Sequence, residues 1–223
     1  MLLMSQPLVR TGHTFVTPSD TNLIPTMLDG SHTYNSGAVS VTEVSETYTA
    51  SIPGGDSAAT TWFNTTEGRL DYLEFTGDFE VIASNIGLTS GATADDFQFC
   101  GLMVWLSTLN YEFAVAGNRG ATTSTVEYKS TLAGSSVQND TGTDSIVSHR
   151  CDLRVRRSGS AVTFDRRAVG GSTWTSIPIS GLSHRVSFGT GAVRVGIITY
   201  GFAFVAAFDS ACDSVTVVSG SYT

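Results

Sequence analysis

Lysine is almost missing from this chain. Of 223 residues, 12 are lysine or arginine, and Lys129 is the one lysine. Charged residues amount to 14%, with 5 prolines and 3 cysteines. Long surface helices hold their turns with Glu, Lys, Ala and Leu, so this shortage argues against an all-α architecture. The net charge of −8 repels a phosphate backbone at long range, and no nucleic-acid partner is expected. No run approaches the roughly 18 apolar residues of a membrane span, so no membrane insertion is expected. Met1-Leu2-Leu3-Met4 meets Ser5-Gln6-Pro7 at once, leaving no basic leading segment and too short an apolar core for a secretion signal. Cys100, Cys151 and Cys212 are far apart, odd in number and set in apolar runs. They are expected as buried thiols of a reducing compartment, not as disulfides.

What is abundant points to strands and turns. Ser (28), Thr (30) and Gly (23) dominate, and 41% hydrophobic content is enough to bury a core. From Met1 to about Gly30 the chain is polar and punctuated by Pro7, Pro18 and Pro25. We read residues 1–35 as an extended N-terminal arm or docking segment and 36–223 as the folded domain. From Ser31 onward, short apolar runs alternate with Gly, Ser, Thr, Asn and Asp clusters, the spacing of an all-β sandwich or barrel. Strands are predicted at 38–44, 70–75, 79–86, 97–106, 111–115, 125–129, 151–157, 161–166, 193–200 and 204–218.

Successive strand residues point to opposite faces. If Leu102, Val104 and Leu106 face the core, Trp105 faces out; Leu153 and Val155 inward put Arg154 and Arg156 outward. With aromatics inward in Tyr111-Glu112-Phe113 and Val126-Glu127-Tyr128, one outer face is expected to carry Trp105, Glu112, Glu127, Lys129, Arg154, Arg156 and Asp165 if these strands share a sheet. Val193–Tyr200 and Phe202–Phe208 are apolar at almost every position, as in strands covered on both sides.

An ordered set of short segments carries a family resemblance. Gly77-Asp78-Phe79-Glu80-Val81 is followed by Cys100-Gly101-Leu102-Met103-Val104-Trp105, Asn110-Tyr111 and Leu153-Arg154-Val155-Arg156-Arg157-Ser158-Gly159. Gly170-Gly171-Ser172-Thr173-Trp174, Val193-Arg194-Val195-Gly196-Ile197 and Ala207-Phe208-Asp209 complete it. The stretch from Trp62 to Val218 resembles the concanavalin A-like lectin/glucanase sandwich in its non-catalytic laminin-G-like and DUF1349-type branch. The resemblance implies a two-sheet antiparallel jelly-roll sandwich, with Trp174 a rim residue closing one end.

Chemistry is sparse by comparison. The laminarinase-type relatives alternate Glu-x-Asp-x-Glu on one strand, and no glutamate here has an aspartate two residues on. No Gly-x-Ser-x-Gly elbow occurs, no His or Cys pair has zinc-ligand spacing, and Gly189-Thr190-Gly191 precedes a strand, so it is a turn. No enzyme is therefore expected. Asp95-Asp96, Asp140 and Asp144 offer the oxygen ligands calcium takes, but Asp in such stretches ordinarily builds loops; no cofactor or metal is expected. Arg150, Arg154, Arg156, Arg157, Arg166 and Arg167 crowd into 18 residues. They either present guanidinium groups to an anionic glycan or a neighbouring subunit, or pair across strands with Glu112, Glu127, Asp152 and Asp165; we favour the pairing. The ligand-binding candidates are Trp105, Glu112, Glu127, Arg154, Arg156 and Asp165.

A lectin-like sandwich with unpaired cysteines and no export signal fits a bacteriophage particle, which folds and assembles in the host cytoplasm. The expectation is a non-catalytic virion structural or adhesion protein, a capsid decoration or tail-associated homo-oligomer. Its arm docks on other virion subunits and its sandwich meets cell-surface glycans. The alternative is a free carbohydrate-binding module or glycan-acting enzyme of the same fold.

Overall fold

The computed structural model describes residues 14–15, 22–28, 33–34, 39–54, 68–92, 97–120, 124–140, 146, 148–177, 184–202 and 206–223. Its strands are β1 (Thr14–Phe15), β2 (Thr33–Tyr34), β3 (Ser40–Val44), β4 (Thr47–Ile52), β5 (Arg69–Ser90), β6 (Phe97–Ser107), β7 (Asn110–Arg119) and β8 (Ser124–Leu132). They continue with β9 (Ser135–Asp140), β10 (Arg150–Ser158), β11 (Ala161–Arg167), β12 (Thr175–Ile177), β13 (Val193–Phe202), β14 (Phe208–Cys212) and β15 (Ser214–Tyr222). One helical turn, α1 (Ile24–Met27), is the α-helix among the described residues. Every strand pairing is antiparallel, as expected for an all-β sandwich.

The long strand β5 belongs to two sheets. Along one edge its first part, Arg69 to Phe75, pairs with β13, and its later part, Phe79 to Gly87, pairs with β10. From there a front sheet runs β5-β13-β6-β7-β8-β9 and a back sheet runs β5-β10-β11-β12. On the other edge β15 and then β14 follow β5, and β14 leads to β4 and β3. The sheets close on one apolar core, with Leu102, Val104, Ala114 and Val126 in front and Leu153, Val155, Val162 and Phe164 behind. The rings of Tyr128 and Phe164 meet across it at 6.0 Å.

The front sheet is apolar on both faces. Its far face buries a second cluster, Leu70, Tyr72, Phe99, Met103, Tyr111, Phe113, Val115, Ile198 and Tyr200. β13 contributes to both clusters, which is why its sequence is apolar at nearly every position.

Several boundaries differ from expectation. The break expected at Thr76-Gly77-Asp78 is a bend inside β5: Gly77 takes a φ of +65°, and its backbone is held by Thr190 and Arg157, so the strand continues. The single strand expected at 204–218 is interrupted at Asp213 into β14 and β15. The polar stretch taken as loop contains β9, and the alternating Thr47–Ile52 forms β4, which the reading passed over. Of segment 1–35, β1 pairs with β15, β2 pairs with β5, and Leu23, Ile24 and Met27 are buried in the core; the rest lies outside the described residues.

Candidate functional site

The expected common face for the six candidate residues does not exist. Alternation within each strand holds, but it does not say which of two apolar faces is the core. Trp105 and Glu127 lie on the far face of the front sheet, together with Lys129. Glu112 is on the opposite, core-facing side, because Tyr111 and Phe113 occupy the far face. Arg154, Arg156 and Asp165 sit on the outer face of the back sheet, where Leu153, Val155, Val162 and Phe164 take the inward positions.

Register assembles a line of side chains across the front sheet. Glu74 pairs with Arg194, Arg194 with Trp105, Trp105 with Tyr111, Tyr111 with Thr131 and Thr131 with Ser136. Six strands each contribute one residue, and adjacent strands lie about 4.8 Å apart, so the row is roughly 24 Å long. The Arg194 guanidinium stacks 4.5 Å from the Tyr72 ring and 4.6 Å from the Trp105 ring. Trp105, Arg194, Glu74 and Ser136 are half-buried, while Tyr111 and Thr131 are covered. Thr131 Oγ1 and Ser136 Oγ are hydrogen-bonded at 2.9 Å. Burial raises the Tyr111 phenol above its usual range, so it stays a neutral donor.

Further along the same face lies a buried polar pair. Tyr200 donates its hydroxyl to Glu127 Oε1 at 3.1 Å. The Lys129 ammonium lies over the rings of Tyr111 and Phe113, at 5.9 and 5.7 Å. Burial pulls its pKa down to about 7, against the opposing attraction of Glu127. Burial, then the neighbouring Glu127, pushes the Tyr200 phenol well up.

Glu112 is fully buried and works as an anchor. Its Oε1 accepts from Ser130 Oγ at 2.8 Å and from the backbone N–H groups of Arg185 (2.8 Å) and Val186 (3.1 Å). His184 Nδ1 lies 3.0 Å from Oε2 and 3.1 Å from the Tyr128 hydroxyl. His149 likewise contacts Ser124 Oγ and the Gly117 carbonyl, so both histidines are hydrogen-bonded.

The arginines of the back sheet pair across strands, with a changed list of partners. Arg154 and Arg156 both reach Asp165 Oδ2, at 3.0 and 2.9 Å; Arg154 also meets Glu80, and Arg167 meets Asp152 at 2.9 Å. Glu112 and Glu127, expected as partners, are on the front sheet. Trp174, expected at the rim, is half-buried, and Arg154 and Arg167 lie at 4.5 and 4.3 Å from its ring.

Asp95, Asp96 and Asp144, read as offering calcium ligands, lie outside the described residues, as does Trp62. Asp140 holds the register position opposite Glu127. Among the described residues, no three His, Cys, Asp or Glu side chains converge as a metal site. Cys100, Cys151 and Cys212 are free and buried, and burial raises the first two thiols to about 11 and about 12.

No protein-family model matches the chain, and no curated protein does. Solved structures do. A Saccharomyces cerevisiae protein described as functionally unknown is 11% identical with a TM-score of 0.63, over 84% of this chain and 95% of that one. A GH43 protein from Bacillus licheniformis is 13% identical with a TM-score of 0.52, over 82% of this chain. This chain spans about a third of that protein, 34%. A GlcNAcα1-4Gal-releasing endo-β-galactosidase from Clostridium perfringens is 10% identical with a TM-score of 0.50, over 96% of this chain and 64% of that one. What is shared is the β-sandwich fold.

Proposed function

We propose that this protein is a non-catalytic glycan-binding sandwich, and that the far face of its front sheet holds the ligand. The observation that carries the reading is the cross-strand row Glu74–Arg194–Trp105–Tyr111–Thr131–Ser136. A pyranose has an apolar face, which covers an indole, and a rim of hydroxyls, which seek donors and acceptors. In this row Trp105 supplies the indole, Arg194 donates, and Glu74 and Ser136 accept. Glu127, read from sequence as a direct ligand, is buried on this same face, where it accepts from the Tyr200 hydroxyl.

A glycan array tests the reading. Micromolar binding that drops at least about tenfold in Trp105→Ala supports it, a loss on the scale of one aromatic contact. Silence across the array, or binding indifferent to Trp105, rejects it.

Two features support the non-catalytic reading. Glu74 and Glu127 are separated by four strand spacings across the sheet, about 19 Å, and by a further four residues along the strand, well beyond the separations of retaining or inverting carboxylate pairs. Glu127 is also only 3% exposed. The alternative is a glycan-acting enzyme of the same fold that uses Glu127. Polysaccharide hydrolysis lost in Glu127→Gln would establish that alternative.

The reading extends to a structural or adhesion role in a bacteriophage particle, as a capsid decoration or tail-associated subunit. Three free, buried thiols support folding in a reducing cytoplasm. Cryo-electron microscopy of purified particles tests it: density for the sandwich on capsid or tail is expected, and particles without the protein would exclude the role.

A further inference from the structure

The front sheet ends in two neighbouring hairpin tips, where β6 turns into β7 and β8 into β9. Of the six large apolar side chains exposed among the described residues, three sit here: Leu106 (39% exposed), Leu109 (55%) and Leu132 (37%). Apolar residues exposed singly are ordinary on a protein surface, but a gathered set marks an interaction surface. Trp105 pairs with Tyr111 and Tyr111 with Thr131, so the leucines continue the same three strands just past those pairs. β6 and β8 are two strand spacings apart, so the set spans about 10 Å.

The tips are fastened to each other. Gly134 N donates to the Leu109 carbonyl at 2.9 Å, and Ala133 N donates to Asn110 Oδ1 at 3.1 Å. Ser107 Oγ accepts from Leu109 N at 3.3 Å and from Asn110 Nδ2 at 3.1 Å. A Cβ added at Gly134 would lie 3.3 Å from Leu109 Cδ2, so that side chain rests against the neighbouring turn. Groups held in place this way lose little freedom on association.

The tips also lack charge. Neither 106–111 nor 130–139 holds an Asp, Glu, Lys or Arg, in a chain whose net charge is −8. The Arg185 guanidinium, which reaches the second tip, is engaged by the Ser135 carbonyl at 3.3 Å.

We propose that this end of the front sheet is a contact between two copies of the chain, paired about a two-fold axis. A charged partner would have to desolvate its charges against leucines that offer no counter-charge, so the matching surface is itself apolar and uncharged. A second copy supplies such a surface. Two copies of net charge −8 repel, and an uncharged end is where they touch without setting like charges together. A two-fold contact lays one leucine set on the other and needs no second patch. The contact stands apart from the glycan reading, since none of the three leucines belongs to the Trp105 row.

Sedimentation equilibrium of the full chain tests the proposal. The expected result is a reversible equilibrium between monomer and dimer that tightens as salt rises, because screening weakens the repulsion while the apolar contact persists. Leu109→Ser and Leu132→Ser are each expected to weaken the dimer at least about tenfold, since each change acts once in either copy. Both side chains are exposed, so the variants are expected to fold, and unchanged circular dichroism verifies this. Val44→Ser removes an apolar residue that is more exposed still, at 64%, on another part of the surface, and should leave the equilibrium unchanged. A chain that is monomeric at every concentration and salt, a dimer indifferent to Leu109→Ser and Leu132→Ser, or one weakened equally by Val44→Ser would each overturn the proposal. So would a monomer that floats with phosphatidylcholine vesicles and loses this in Leu109→Ser, which would assign the tips to a membrane.

Discussion

Glu112 shows what a single buried carboxylate does in this sandwich. It ties the segment at 184–186 to β7 and β8 through four donors: Ser130, the Arg185 and Val186 amides, and His184. Removing it leaves those donors unsatisfied in the interior, so Glu112→Ala is expected to cost about 3–5 kcal/mol. A lower urea midpoint at unchanged m-value measures this, and a loss below about 1 kcal/mol would deny the anchoring role. Lys129 sets a pH dependence of definite sign. Its folded pKa is about 7, while an unfolded lysine titrates near 10.4. Between these values the unfolded chain holds a proton that the folded chain does not, so this group makes stability rise with pH across that window. Above about pH 10 the sign reverses, because burial keeps Tyr48, Tyr128 and Tyr200 protonated while unfolded tyrosines ionise. Urea midpoints measured across this range check both limbs. Lys129→Met should flatten the rise and leave the fall; a rise that persists in the variant would reject the assignment. At this scale the sequence shows that Trp105 opposes Leu102 and Val104, yet it leaves open which side is the main core. Glu112 was misplaced for that reason: a carboxylate with four internal donors has the same pattern as one facing water.

At the scale of elements, β5 explains both what the sequence reveals and what it hides. Its two apolar halves, Leu70–Phe75 and Phe79–Ile86, are plain in the alternation, and Gly77 between them looks like a stop. It is a bend, and a Cβ placed there meets nothing within 4 Å. Only backbone conformation penalises a side chain at φ +65°, so Gly77→Ala is expected to cost about 1–2 kcal/mol. Gly196 has the opposite reason: an added Cβ would lie 1.9 Å from the Asp71 carbonyl oxygen, on the far face between Tyr72 and Met103. Gly196→Ala must push β13 from β5 and is expected to lose more than Gly77→Ala. Thermal unfolding of the two variants checks the order, and the reverse order would contradict the close strand approach. The row that forms the candidate site was hidden for a related reason. It takes one residue per strand, so it depends on register between strands far apart in sequence, which local periodicity does not encode. β9 was missed because Ser135–Asp140 is polar and lies at the sheet edge, where no buried face imposes an apolar alternation.

At the scale of the molecule, the sharing of β5 makes the two sheets interdependent. Its first part supplies the edge ladder of β13, and its later part supplies that of β10. β15 spans the junction, pairing from Ser84 back to Phe75. Unfolding the back sheet removes the partner strand that continues into the front sheet, and it also exposes the shared core on which Tyr128 and Phe164 meet. Neither sheet is therefore expected to survive alone, and denaturation should be one cooperative transition. Two tryptophans observe the sheets separately: Trp105 stacks on Arg194 in front, and Trp174 lies beside Arg154 and Arg167 behind. With Trp62 replaced by Phe, two further variants, Trp105→Phe and Trp174→Phe, each leave one reporter. The substitutions themselves shift the urea midpoints, so each fluorescence curve is compared with backbone circular dichroism of the same variant. Coincidence of fluorescence and dichroism within each variant is the expected outcome. A Trp174 signal lost before the dichroism of its own variant would mean that the back sheet opens first, and that β5 joins the sheets without coupling them.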